Sequence, residues 1–327
     1  MNKKLFWILG TLAFALIFNA CEKEEEIIES EVLASYLEST SSPLGKDYVN
    51  TDLPSLISAE ELNTLNVTNQ VYIIDIRSTA DFAAGHILNA HNVALADIVT
   101  HIETVNMANY TKVAIVCYTG QTAGYAASLL RLLGYSKVYS LKWGICSWNS
   151  FFASRWNNAI GNTYATQFVT TVTDKAAKGA MPDLSTGKTT GQDILEARVD
   201  ALLAEGFTPA SITAATVFGT PSNYYIVNYW PAAQYSDPGH IPGAIQYTPK
   251  ETLKLNVDLK TLPTDKPIVV YCYSGQTSAF IAAYLRLLGY DAKSLMFGGN
   301  SMIYDIMVSK SMSVWKASEI KGYTYVQ

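Results

Sequence analysis

The chain has 327 residues, room for two domains of ordinary size. With 49% hydrophobic and 16% charged residues it is globular and not disordered, and its net charge of −5, without a basic tract beyond the N-terminus, argues against a nucleic-acid partner. The cysteines (Cys21, Cys117, Cys146 and Cys272) form no Cys-x-x-Cys pair, so neither a metal nor a cofactor is expected.

In chain order, Asn2-Lys3-Lys4 precedes an apolar run over 5–18, too short to span a bilayer comfortably. The run ends in Ile17-Phe18-Asn19-Ala20-Cys21, which resembles a bacterial lipobox. The resemblance implies a signal peptide over 1–20, lipidation of Cys21 and a lipid-anchored place in the cell envelope, on the periplasmic face of the outer membrane or at the cell surface. The alternative is an ordinary secretory peptide that leaves Cys21 a free thiol. Glu22-Lys23-Glu24-Glu25-Glu26, with Glu29 and Glu31, reads as an acidic, solvated tether over 21–51.

A first domain is expected over 52–160. Ser58 with Glu61 forms a capping box for a short helix, and a strand over 71–75 follows. Thr79 is placed to cap a brief helix before Gly85-His86, and a further helix is expected over 94–105. A β-branched strand over 113–117 then opens onto Cys117-Tyr118-Thr119-Gly120-Gln121-Thr122 and a helix that stops at Gly134. Residues 161–196 read as connector and 197–327 as a second domain, with strands at 224–228 and 268–272 and a helix over 277–288. Strands alternating with helices imply a mainly parallel α/β sheet in each domain.

The second domain repeats the first. Cys272-Tyr273-Ser274-Gly275-Gln276-Thr277 again follows an apolar strand, and 117–135 and 272–290 share twelve of nineteen positions at an offset of 155 residues. A repeat this long is a duplicated domain and not a solenoid array. A cysteine between a strand and a helix N-terminus sits where main-chain amides favour a thiolate. The pattern points to thiol chemistry in two copies.

The loop resembles the active-site loop of the rhodanese (sulfurtransferase) family, Cys-x-x-Gly-x-Thr. Asp75-Ile76-Arg77, Asp81-Phe82 and Gly85-His86-Ile87 resemble that family's upstream motifs, as do Gln234-Tyr235 and Gly239-His240-Ile241 in the second copy. Trp143-Gly144 with Trp148, and Gly298-Gly299, resemble the domain's close. The resemblance implies that Cys117 and Cys272 carry sulfane sulfur as persulfides within loops formed by Tyr118, Thr119, Gly120, Gln121 and Thr122, and by Tyr273, Ser274, Gly275, Gln276 and Thr277. Gly120 and Gly275 are expected to allow close approach of the backbone to sulfur, and Thr122 and Thr277 to cap the helix or donate to sulfur. Asp75, Arg77, His86 and His240 are expected to be structural, and Cys146 to be packing. The second copy departs from the pattern, with Asn228 and Trp230 at the Asp and Arg positions.

The implied activity is an exported sulfurtransferase that uses a small sulfur donor and a thiol or cyanide-like acceptor. A catalytically silent rhodanese-like binding module is the alternative. The loops carry no basic side chain, so weakly charged donors are expected to serve better than thiosulfate.

Overall fold

The computed structural model describes residues 27–327. The signal-peptide and lipidation readings, and the acidic residues 22–26, lie outside the described residues. Each copy is a parallel sheet of five strands flanked by helices. The first sheet comprises β1 (Leu56–Ile57), β2 (Val71–Asp75), β3 (Ala90–Asn92), β4 (Lys112–Val116) and β5 (Val138–Leu141), in the order β1-β5-β4-β2-β3. The second has β6 (Ser211–Ile212), β7 (Tyr225–Asn228), β8 (Ile245–Gln246), β9 (Ile268–Tyr271) and β10 (Ala292–Leu295), in the matching order β6-β10-β9-β7-β8. The central strands β4 and β9 are covered on both faces, which is why they read as continuous apolar runs.

Several local readings meet the structure closely. Ser58 Oγ accepts from the Glu61 amide at 3.1 Å at the head of helix Ala59–Val67. Gly134 lies at φ 102° and the Tyr135 amide returns to the Leu130 carbonyl at 3.1 Å, closing helix Gln121–Leu132 as a Schellman turn. Ser78, one residue before the expected Thr79, caps helix Thr79–Ala84. Thr208-Pro209 starts a single 3₁₀ turn that feeds β6.

The expected tether over 21–51 is corrected from Glu29 onward. Helix Glu29–Glu38 buries Leu33, Ala34 and Leu37. The Glu29 carboxylate accepts from the Thr186 and Gly187 amides at 2.8 and 2.9 Å. Asn50 donates to the Leu253 carbonyl at 3.0 Å, so this segment is fastened to the second copy. The domain bounds are corrected as well. Helix Gly191–Glu205 begins inside the expected connector, and the C-terminal segment over 321–326 packs on the first copy. There Trp148 Nε1 donates to Thr324 O at 2.8 Å, and Val326 forms an antiparallel bridge with His86.

The copies share one body. Helices Gln121–Leu132 and Gln276–Leu287 pack on each other, with Gly124 against Phe280 and the Gln276 carbonyl, and Ser128 Oγ donates to Phe280 O at 2.9 Å. A Cβ at Gly124 would stand only 3.1 Å from the Phe280 ring. A single apolar core therefore runs through both copies, from Leu33 through Leu129 to Phe280 and Leu287.

Candidate active site

Cys117 and Cys272 each follow the last residue of a central strand, β4 and β9, and precede a helix that opens on a left-handed glycine. Both sulfurs are nearly enclosed, with Cys117 3% and Cys272 1% exposed. Cys117 Sγ accepts from the Gly120 and Ala123 amides at 3.2 and 3.3 Å. Cys272 Sγ accepts from the Ser278 amide at 3.3 Å.

Burial pushes the Cys117 thiol above its ordinary value, and the nearby Asp75 carboxylate adds to the rise. The amides of Ala123, Thr119 and Gly120 pull the other way without overcoming it. The amides thus favour the thiolate at Cys117 in the expected direction, while desolvation is the larger effect and acts against it.

The threonines do not cap. Gly120 (φ 86°) and Gly275 (φ 77°) occupy the cap positions without any side-chain hydrogen bond, while Thr122 lines a cavity in front of Cys117. The Gly120 amide approaches Cys117 Sγ as expected, and each glycine also makes room for a side chain of the other copy. A Cβ on Gly120 would fall 2.0 Å from Gln276 Nε2, and one on Gly275 2.4 Å from Gln121 Oε1, both in the opposite copy.

Gln121 and Gln276 thus turn away from the cysteines. Gln121 Oε1 accepts from the Phe297 amide and Gln276 Oε1 from the Trp143 amide, each at 2.9 Å. Trp143 and Phe297 begin the segments that back the loops, where a Cβ on Gly144 would lie 2.5 Å from Gly120 N. Each loop is therefore tied to the support of the other. Thr119 Oγ1 accepts from Gln121 Nε2 at 3.1 Å, its carbonyl accepts from Trp156 Nε1 at 3.1 Å, and Ser274 Oγ accepts from the Gln276 amide at 3.4 Å.

Tyr118 and Tyr273 are partly exposed at the rims, bonded through their hydroxyls to Asp81 and Gln234. Asp75 and Arg77 form a buried bidentate pair at 2.7 Å, and Arg77 also donates to Gly85 O at 2.7 Å. His86 and His240 each meet a backbone carbonyl through Nδ1 at 2.9 Å and stack on Phe82 and Tyr235. Cys146 lies among Trp143, Trp156 and Trp315, donates to Phe152 O at 3.0 Å, and is pushed up to about 12 by burial.

Arg155 escaped the sequence reading. Its guanidinium lies 3.8 Å over the Tyr118 ring, and it lines the cavity of about 460 Å³ that holds Cys117, Thr122 and Asn158. Met296 and Phe297, from the second copy, complete the wall. The uncharged loop is thus not an uncharged pocket. No loop motif could have revealed a cation delivered by the short helix Ser154–Asn157.

The sequence pattern of the family described as Rhodanese-like domain matches residues 58–151 and 221–302, more than half of the chain. The chain belongs to that family, in two copies. It is 33% identical over 101 residues to the thiosulfate sulfurtransferase GlpE of Ectopseudomonas mendocina, covering 30% of this chain and 87% of the relative. The GlpE of Pseudomonas fluorescens is 32% identical over 87 residues, 24% of this chain and 72% of the relative. Among solved structures, a thiosulfate sulfurtransferase from Pseudomonas aeruginosa is 17% identical with a TM-score of 0.29, over 89% of this chain and 49% of that one. SseA from Escherichia coli, described as a 3-mercaptopyruvate sulfotransferase, is 16% identical with a TM-score of 0.26, over 73% and 97%.

Proposed function

We propose that this protein is an exported sulfurtransferase that carries sulfane sulfur as a persulfide on Cys117 and Cys272. The observation that carries the reading is the Cys117 site. Its sulfur accepts from the Gly120 amide of the loop and the Ala123 amide of the helix, and it lines a cavity that Arg155 shares. The sulfurtransferases among its relatives support the same class.

In the first half-reaction the Cys117 thiolate attacks the outer sulfur of the donor. A new S–S bond forms, the donor's S–S bond breaks, and its electron pair leaves with sulfite or a thiolate. In the second, an acceptor thiolate attacks the outer sulfur of the cysteine persulfide and Sγ departs as thiolate. Burial that raises the Cys117 thiol opposes the attacking form. Loop amides and Arg155 are the groups available to offset it. Arg155 also favours an anionic donor at this site, against the expectation drawn from the loop alone. The lipobox-like 17–21 segment supports a lipid-anchored place in the cell envelope.

The test is intact mass before and after thiosulfate or polysulfide. Each of Cys117 and Cys272 is expected to gain one sulfur, removable by cyanide or thiol, with Cys117→Ser and Cys272→Ser each losing one. Unchanged gain in the double variant, or no gain in the parent, removes the sulfurtransferase reading, and the latter outcome favours a binding module.

A further inference from the structure

The two cysteines differ in one respect that the loop motif does not encode. The residue whose amide meets sulfur is Ala123 in the first copy and Ser278 in the second. Ser278 is fully buried, and its Oγ lies 3.5 Å from Cys272 Sγ. Behind it, Ser278 Oγ and Ser294 Oγ are 2.8 Å apart, and Ser294 Oγ donates to the Gly275 carbonyl at 3.2 Å. Four groups form one line: Cys272 thiol, Ser278, Ser294, and the carbonyl of the loop glycine. Ser294 is also fully buried, so water does not compete for the line.

The direction of this chain depends on the sulfur's protonation. With a thiol, S–H donates to Ser278, which donates to Ser294. When the proton leaves, Ser278 swings its hydrogen to Sγ and Ser294 can turn to donate to Ser278. Each bond then polarises the next toward the anion. The first copy holds only the far end, since Ser140 Oγ donates to Gly120 O at 3.2 Å while Ala123 offers no hydroxyl.

We propose that Ser278 is a catalytic residue of the second site, donating its hydroxyl to Cys272 Sγ whenever that sulfur carries negative charge. This rests on the reading that Cys272 turns over sulfur. In the discharge step an acceptor thiolate bonds to the outer sulfur of Cys272–Sγ–SH, and the Sγ–S bond breaks. Its electron pair stays on Sγ as thiolate, and the product leaves as R–S–SH. Charge develops on Sγ, the atom Ser278 faces, so the hydroxyl acts most strongly in the transition state. The titratable group beside Cys272 is Tyr273, pushed up to about 12 by burial and then by the Cys272 charge. Asn228 stands where the first copy has Asp75, whose carboxylate acts on Cys117.

The experiment reads thiolate reactivity without any sulfur donor, so its failure is separable from failure of the sulfurtransferase reading. The folded full chain is alkylated with iodoacetamide across a pH series, and each cysteine is followed by peptide mass. A hydrogen bond to a charged sulfur at the weak end of its range corresponds to about a tenfold change in thiolate fraction. Nucleophilicity moves the other way with a Brønsted slope near ~0.45. Ser278→Ala is therefore expected to slow Cys272 alkylation roughly three- to fourfold at neutral pH, and to speed it about threefold on the high-pH plateau. That crossing of profiles is a signature that simple loosening of the site does not produce. The first copy's alanine at the matching position indicates that the fold accommodates the change. Ala123→Ser, which restores the line to Ser140, is expected to move the Cys117 profile the opposite way. Superimposable profiles for Ser278→Ala and parent, or a uniform change at every pH, overturn the proposal.

Discussion

Gln276→Ala perturbs a residue that belongs to one loop and supports the other, so its effects measure how far the copies act as one. The amide side chain accepts from the Trp143 N–H at 2.9 Å and donates to Leu141 O at 3.3 Å. Trp143 is 1% exposed and sits in the left-handed region at φ 65°, so its amide has no water to turn to. Leaving that donor unpaired costs about 1–3 kcal/mol, and the cavity left by a truncated buried side chain adds about 1. A loss of about 2–4 kcal/mol follows, which lowers Tm by about 3–6 °C for a unit of this size. Urea unfolding followed by tryptophan fluorescence measures the stability. Site-resolved alkylation measures the second consequence. Gly144 backs Gly120 N, whose amide meets Cys117 Sγ at 3.2 Å, so freeing Trp143 loosens the loop of the other copy. Cys117 is expected to react several-fold faster in this variant, although the substitution lies in the second copy. A stability change below about 0.5 kcal/mol together with an unchanged Cys117 rate would refute the reasoning, because surface substitutions away from special features do no more than that.

Two other outcomes are expected. Arg155→Ala removes an exposed cation from the Cys117 cavity, and KM for thiosulfate at that site should rise about fivefold at low salt and less at high salt, with an uncharged organic trisulfide unaffected; equal effects on both donors would end the anion-binding role. Cys21→Ser should release the protein from the membrane fraction, and firm retention would mean that the 5–18 segment itself is the anchor.

Much of this site was legible because its signals are local. The Cys-x-x-Gly-x-Thr loops, the β-branched strands feeding them and the Gly134 stop all depend on neighbours within a few residues. Strands β1 and β6 were not legible, since two residues carry no alternation to detect. The segment after Glu29 misled because its charge hides the Leu33, Ala34 and Leu37 face, whose partners in the shared core lie far away in sequence. Gln121 and Gln276 look like loop residues aimed at substrate, and nothing nearby in sequence signals that their acceptors serve Phe297 and Trp143. Arg155 and Ser278 fall outside the motif for the same reason: what they touch is set by packing, not by spacing.

The departures in the second copy exchange one support for another. In the first copy Asp75 Oδ1 accepts from the Arg77 amide at 3.0 Å, and the guanidinium lies 5.8 Å from the Tyr118 ring centroid. In the second, Asn228 Oδ1 accepts from the Trp230 amide at 3.1 Å, and the indole stacks on Tyr273 at 5.6 Å. The turn and the brace on the loop tyrosine survive with neutral groups. Replacing a buried ion pair by packed neutral side chains is often close to neutral for stability, so the fold did not require the pair. The electrostatic result is not neutral. Cys117 feels the Asp75 carboxylate and has Arg155 at its cavity, whereas Cys272 has an amide in place of that carboxylate and a hydroxyl against its sulfur. Two cysteines in different electrostatic surroundings are thus fixed in one body by reciprocal glutamines.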